Sequence, residues 1–163
     1  LVFYLPKFLY IKSRIASFFD VTSKGNYQSQ KATDAIIDGG FFGKGIGEGT
    51  LNTRVPEAHT DYVISVISEE FGVLLILLIL LIFLVLLFKV FKKIPYEKNN
   101  SNKIVLIGSV LLIIFQVLIH IGVNIRLLPT TGMTLPFLSY GGSSILSSSI
   151  LAGLILNFTK RKI

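Results

Sequence analysis

The sequence contains no cysteine. This excludes disulfide frameworks, cysteine-ligated zinc, iron–sulfur clusters and thiol nucleophiles together, and leaves the redox compartment open. Charge is the second shortage. Asp, Glu, Lys and Arg make up 15% of the 163 residues, against about 25% in soluble domains. Hydrophobic residues reach 52%, which excludes a disordered chain and argues against a cytosolic globular domain. Acids are scarcer than bases, nine against sixteen, for a net charge of +7. Such a balance would suit a nucleic-acid partner, but the placement of the bases does not. Lys89, Lys92, Lys93, Lys98 and Lys103 cluster in one linker and Lys160, Arg161 and Lys162 at the end. Both clusters flank apolar runs, as in membrane-protein loops. No nucleic-acid partner is therefore expected.

What is abundant is long apolar sequence. Phe71 to Phe88 is eighteen residues without a charge, about 27 Å of helix and close to a bilayer core. Its helix is expected to begin near Asp61, giving a span at 61–88. A second span is expected at 104–125 and a shorter, serine-rich third at 143–158. Residues 1–11 read as the end of a fourth, interrupted by Pro6. The chain opens at Leu1 inside an apolar run, so it is expected to be part of a longer protein. No basic stretch precedes that run and no small-residue cleavage site follows it, unlike a signal peptide.

The linker 89–103 sets five Lys against Glu97, and the tail 159–163 is basic. The positive-inside rule puts both in the cytoplasm. Segments 12–60 and 126–142 then lie outside. The fold class is an all-α integral membrane protein, a polytopic helical bundle with extracytoplasmic re-entrant loops. The re-entrant expectation rests on 126–142, where Pro129, Pro136 and glycines interrupt helix while Leu127, Leu128, Met133, Leu135, Phe137 and Leu138 keep the segment apolar.

Six glycines fall between Gly39 and Gly49. GKGIGEG lacks the strand and helix context of a phosphate-binding loop, and reads as a flexible turn whose glycines accept positive φ or close approach to the membrane or a substrate. In Val55–Tyr62, Glu57, His59, Thr60 and Asp61 crowd the entrance to the longest apolar helix. Thr60 or Asp61 suits an N-cap. Capping needs only one such residue, however, and Ser65, Ser68 and Gly72 continue the face of Asp61, as a cavity-facing stripe would. Gln116, His120 and Asn124 form a matching stripe, consistent with interhelical hydrogen bonding. Ser144, Ser148 and Ala152, and likewise Ser149 and Gly153, have the small-residue spacing of close helix packing.

PEAHTDY with the following SEEFG, and LLPTTGMTLPFLSYGGSS, resemble the two motif regions of the SEDS family (shape, elongation, division and sporulation proteins). The Thr-Gly-Met-Thr-Leu-Pro-Phe run is closer to the division branch than to the rod-elongation branch. Tyr27-Gln28 with Gln30, and Gly43-Lys44-Gly45 with Gly47, also fit. The resemblance covers nearly the whole chain, as the C-terminal part of a member. It implies a multi-pass enzyme of the bacterial cytoplasmic membrane, a peptidoglycan glycosyltransferase that polymerises lipid II into glycan strands in septal wall synthesis. Expected partners are a class B penicillin-binding protein transpeptidase and other division proteins. The family's catalytic aspartate maps onto Asp61, which would act as general base. Glu57, His59, Thr60, Arg54, Lys44, Asn124, Arg126, Ser139 and Tyr140 are the substrate-binding candidates, with the cations suited to pyrophosphate. No cofactor is assigned. A divalent cation on the pyrophosphate is compatible with the chemistry, but no acidic pair at ligand spacing marks a site. The alternatives are a lipid-precursor flippase or transporter, and a non-catalytic division scaffold.

Overall fold

A computed structural model describes residues 24–160, together with 16, 18 and 19. The expected span at 1–11 and residues 161–163 of the tail lie outside the described residues. Among the described residues all regular structure is helical: α1 Lys24–Gly39, α2 Leu51–Arg54, α3 Val63–Phe71, α4 Val73–Lys93, α5 Asn100–Asn124 and α6 Gly142–Thr159, with a 3₁₀ turn at Ile94–Tyr96.

Three of these helices are long and apolar enough to cross a membrane. They are α4 with its 3₁₀ extension (24 residues), α5 (25 residues) and α6 (18 residues), or about 36, 37 and 27 Å at 1.5 Å per residue. The chain is a multi-pass membrane protein. Leu77, Leu78, Leu81, Leu84 and Leu86 of α4 stay exposed, and Ile76 is its buried position. Such a helix presents its leucines to an apolar surrounding rather than to a core. The central helix is α5. Leu106, Val110, Ile113, Val117, His120 and Asn124 are buried along it at three- and four-residue intervals. The lysine-rich linker contains more helix than its charge suggests, because α4 runs to Lys93 and Pro95 then admits one 3₁₀ turn.

The single helix expected over 61–88 is two helices. α3 ends at Phe71 and α4 starts at Val73, with Gly72 between them at φ 83°, ψ 169°. The glycine-rich loop repairs the break. Lys44 and Gly45 donate their N–H groups to the carbonyls of Glu69 and Glu70 at 2.8 and 3.0 Å. In return, Val73 and Leu74 donate to the carbonyls of Gly40 and Phe41 at 2.9 and 3.4 Å. The orphan groups of two helix ends are thus satisfied by one loop. Contact is main chain to main chain: a Cβ on Gly72 would sit 2.1 Å from the Phe41 carbonyl oxygen, and one on Gly43 2.2 Å from that of Glu70. The positive φ expected in this loop is present at Gly40, Gly43, Gly45 and Gly47; the close approach that the structure shows is to the main chain of the α3–α4 break, not the expected one to membrane or substrate.

Segment 126–141 enters the bundle. Past the Ile125 C-cap, Arg126 at φ 58° ends α5 in a left-handed turn, and Leu127 and Leu128 donate back to the Gly122 carbonyl. Leu135, 1% exposed, packs with Ile64, Ile76, Ile113 and Val117. Phe137 lines an apolar cleft of about 310 Å³ with Phe83, Ile113, Ala152 and Ile155. Ile113 lies eleven residues below Asn124 on α5, a depth of about 16 Å. In α6 only one of the two small-residue rows packs as expected. Ser148 is buried and Ala152 half-buried, whereas Ser149 and Gly153 are exposed, and a Cβ on Gly153 would meet no described atom within 4 Å.

Candidate active site

The candidate site is the turn between α2 and α3. Val55, Ala58 and Tyr62 are buried with Leu51, Ala32, Ala35 and Val123 in one apolar cluster, which seats the turn on α1 and the end of α5. Tyr62 is further tied to α1 through its hydroxyl, 3.2 Å from Ser29 Oγ. Between these anchors, Asp61 is buried at 8% exposure and its N–H donates to the Glu57 carbonyl at 3.0 Å. The N-cap of α3 is Tyr62, without a side-chain cap bond. Thr60 and Asp61 therefore do not cap the helix as expected: the helix starts too late, and their carbonyls are recruited elsewhere.

Three consecutive carbonyls of this turn are held from outside it. His59 O accepts from Tyr140 N at 3.0 Å. Thr60 O accepts from Ser139 Oγ at 2.9 Å and from His120 Nε2 at 3.3 Å. Asp61 O accepts from Asn124 Nδ2 at 3.0 Å. Asn124 Nδ2 also lies 3.2 Å from His120 Nδ1. Its two protons are taken by the Asp61 carbonyl and by the His120 carbonyl at 2.8 Å; the Thr60 carbonyl can only accept, so the His120 proton sits on Nε2, facing it. Asn124 Oδ1 closes the network by accepting from Ser65 N and Ser65 Oγ at 3.1 and 2.7 Å.

The expected site residues divide accordingly. Glu57 and His59 are exposed on the turn, Thr60 is half-buried, and Arg54 is exposed at the end of α2. Tyr140 is 78% exposed beside them, joined to the turn by its main chain. Asn124 and Ser139, 0% and 2% exposed, lie inside the clamp and face no open surface. Arg126 donates to the Asn26 side chain on α1. Lys44 bridges Asp38 and Glu69 at 3.1 and 3.2 Å. Its ammonium is held above the usual lysine range, chiefly by its hydrogen bond to Asp38; desolvation, the next influence, opposes this, and Glu69 adds to the rise. Gln116, the deepest of its stripe, is half-buried, with Oε1 lacking a hydrogen-bond partner among the described residues. Among the described residues no three His, Asp or Glu side chains converge as metal ligands.

Glu69 is a residue that sequence reasoning passed over. It is 2% exposed and accepts four hydrogen bonds: from Thr50 N, Thr50 Oγ1, Leu51 N and Lys44 Nζ, at 3.0 to 3.2 Å. It therefore holds the start of α2 and with it the approach to Arg54. Burial is the largest single influence and pushes its carboxyl up; the donors from Thr50, Leu51 and Lys44 together outweigh it and hold the group below the ordinary glutamate range. No sequence signal marked it, because Glu69 lies in the last turn of a helix only through the break at Gly72. An acid in the last turn of a helix opposes the dipole and needs partners from elsewhere.

Residues 1–162 match the Cell cycle protein family of FtsW, RodA and SpoVE. The chain belongs to this family. Relatives named "Probable peptidoglycan glycosyltransferase FtsW" include that of Caulobacter vibrioides, 34% identical over 155 residues, covering 95% of this chain and 40% of the relative. That of Enterococcus hirae is 39% identical over 147 residues, covering 90% and 37%. That of Francisella salina is 38% identical over 154 residues, covering 90% and 38%. The chain thus spans about two fifths of the length of these FtsW relatives.

Proposed function

We propose that the whole protein is a peptidoglycan glycosyltransferase that polymerises lipid II at the outer face of the bacterial cytoplasmic membrane, in septal wall synthesis, with Asp61 as general base. The observation that carries this reading is the clamp on His59, Thr60 and Asp61. Three consecutive carbonyls are fixed by α5 and the re-entrant loop, so the segment bearing the carboxylate is pre-positioned rather than free to relax.

In the reaction a sugar hydroxyl of one lipid-linked saccharide attacks the anomeric carbon of another. The new C–O bond forms as the bond to the lipid pyrophosphate breaks, and Asp61 takes the hydroxyl proton. A hydroxyl is a weak nucleophile at neutral pH, and a positioned base contributes about 10²–10⁴-fold. Asp61 lies two residues before α3 and is buried at 8% exposure. Arg54 is the cation best suited to the departing pyrophosphate: it is exposed beside the turn, and Arg presents a bidentate fork. Lys44, occupied by two carboxylates, serves the loop instead. Septal context suggests a class B penicillin-binding protein as the transpeptidase partner. A transport path wants ionisable groups near the midplane, whereas Glu57 and Asp61 lie in the turn that precedes α3, and Arg54 at the end of α2 beside it.

The test uses the full-length protein with its transpeptidase partner and labelled lipid II. Wild type is expected to form glycan polymer, and a folded Asp61→Asn variant none. Equal polymer from both removes Asp61 as the base, and no polymer from either, where a control polymerase works, removes the enzymatic reading.

A further inference from the structure

The glycine-rich loop carries apolar side chains that neither core cluster takes up. Phe41, Phe42 and Ile46 are 72, 83 and 80% exposed. Isolated exposed apolar residues are ordinary. Three within six residues, in a segment of glycines and charges, form a patch that marks a contact.

The main chain fixes the height of this patch. Gly40 and Phe41 accept hydrogen bonds from Val73 and Leu74, the first two residues of a membrane-crossing helix. Lys44 and Gly45 bond to the last turn of α3. The loop is therefore held level with the point where α4 begins.

We propose that Phe41, Phe42 and Ile46 anchor this loop in the leaflet where α4 starts, with the phospholipid surface itself as partner. Aromatic and aliphatic side chains at that depth bury apolar area without needing a full span. The anchor fixes the loop from below while Glu69 fixes it from within, so α2 is held at a constant distance from the bilayer. The one cation of the patch, Lys44, is already shared between Asp38 and Glu69. Attraction to anionic headgroups therefore contributes little, and the anchoring is insensitive to lipid charge. This inference rests on the membrane-crossing helix and not on the glycosyltransferase reading.

The test is a Phe42→Cys variant of the full-length protein, free of other cysteines, carrying an environment-sensitive fluorophore in phosphatidylcholine vesicles. Its emission is expected to be blue-shifted, quenched by lipids with a nitroxide close to the headgroup, and protected from aqueous iodide. Vesicles containing phosphatidylglycerol should give the same result. Glu48→Cys, exposed in the same loop, should report water. Adding Phe41→Ser and Ile46→Ser should shift the Phe42→Cys probe towards water with helicity unchanged. Iodide quenching without lipid quenching overturns the proposal. So does protection from both quenchers, which places the patch against protein.

Discussion

Asn124 and Ser65 lock α5 to α3: the amide oxygen of Asn124 receives both the N–H and the hydroxyl of Ser65, at 3.1 and 2.7 Å. The other end of the same amide donates to the Asp61 carbonyl. One side chain thus ties the first turn of α3, and Asp61 two residues before that helix, to the end of a transmembrane helix. Asn124→Ala should leave the Asp61 carbonyl and the Ser65 N–H without these bonds, at a cost of about 1–3 kcal/mol each where no water replaces the amide. Polymerisation by the full-length protein should fall at least tenfold, with a lowered Tm in detergent. Unchanged activity would show that the turn does not need the clamp.

The two kinds of glycine predict opposite outcomes for one substitution. Gly72→Ala places a Cβ 2.1 Å from the Phe41 oxygen at a φ of 83°. The main chain cannot give way without breaking the loop's bonds to α3 and α4, so folded protein should be lost or strongly reduced. Gly153→Ala lies in a helix and meets no described atom, so it should be neutral or stabilising by up to about 1 kcal/mol. Thermal unfolding of both variants checks this. A destabilised Gly153→Ala would show that another helix packs on that row.

Glu69 provides a pH test. Its folded carboxyl lies below the usual range, so the ionised form is the one folding favours. The stabilisation is complete above the unfolded glutamate value, about pH 4.3, and drains away as pH falls from there through the lower folded value. Glu69→Gln should remove this acid sensitivity and lower stability near neutrality by about 1.5–3 kcal/mol, the worth of hydrogen bonds to a charged group. Tm measured from pH 7 down to pH 3 for both proteins gives the comparison. Parallel curves would mean the carboxylate charge contributes nothing.

The membrane spans were legible because an uncharged run as long as Phe71–Phe88 has few other uses. The break at Gly72 was not, since the apolar pattern continues across it and the groups that cap both ends come from Gly40–Gly45, about thirty residues earlier. Similarly, the stripes through Ser65 and Ser68 and through His120 and Asn124 were visible as helical spacing. Their use was not, because pairing across sixty residues is decided by how α3 docks on α5. Glu69 escaped notice because its partners sit on a loop whose path the sequence does not reveal.

Ser139 and Tyr140 separate positioning from substrate contact. The Ser139 hydroxyl accepts from Leu135 N–H and donates to the Thr60 carbonyl, both at 2.9 Å, and is buried. Ser139→Ala leaves a buried N–H unpaired in the re-entrant loop and loosens the turn beside Asp61, so kcat should fall with little change in KM. Tyr140 holds His59 through its main chain, while its ring is exposed. Tyr140→Phe keeps that bond. If the hydroxyl contacts lipid II, KM should rise while kcat and Tm stay at wild-type values, a pattern that no loss of the clamp produces. Steady-state polymerisation over a range of lipid II concentrations reads both, and a Ser139→Ala variant with normal kcat would remove the re-entrant loop from the positioning of the base.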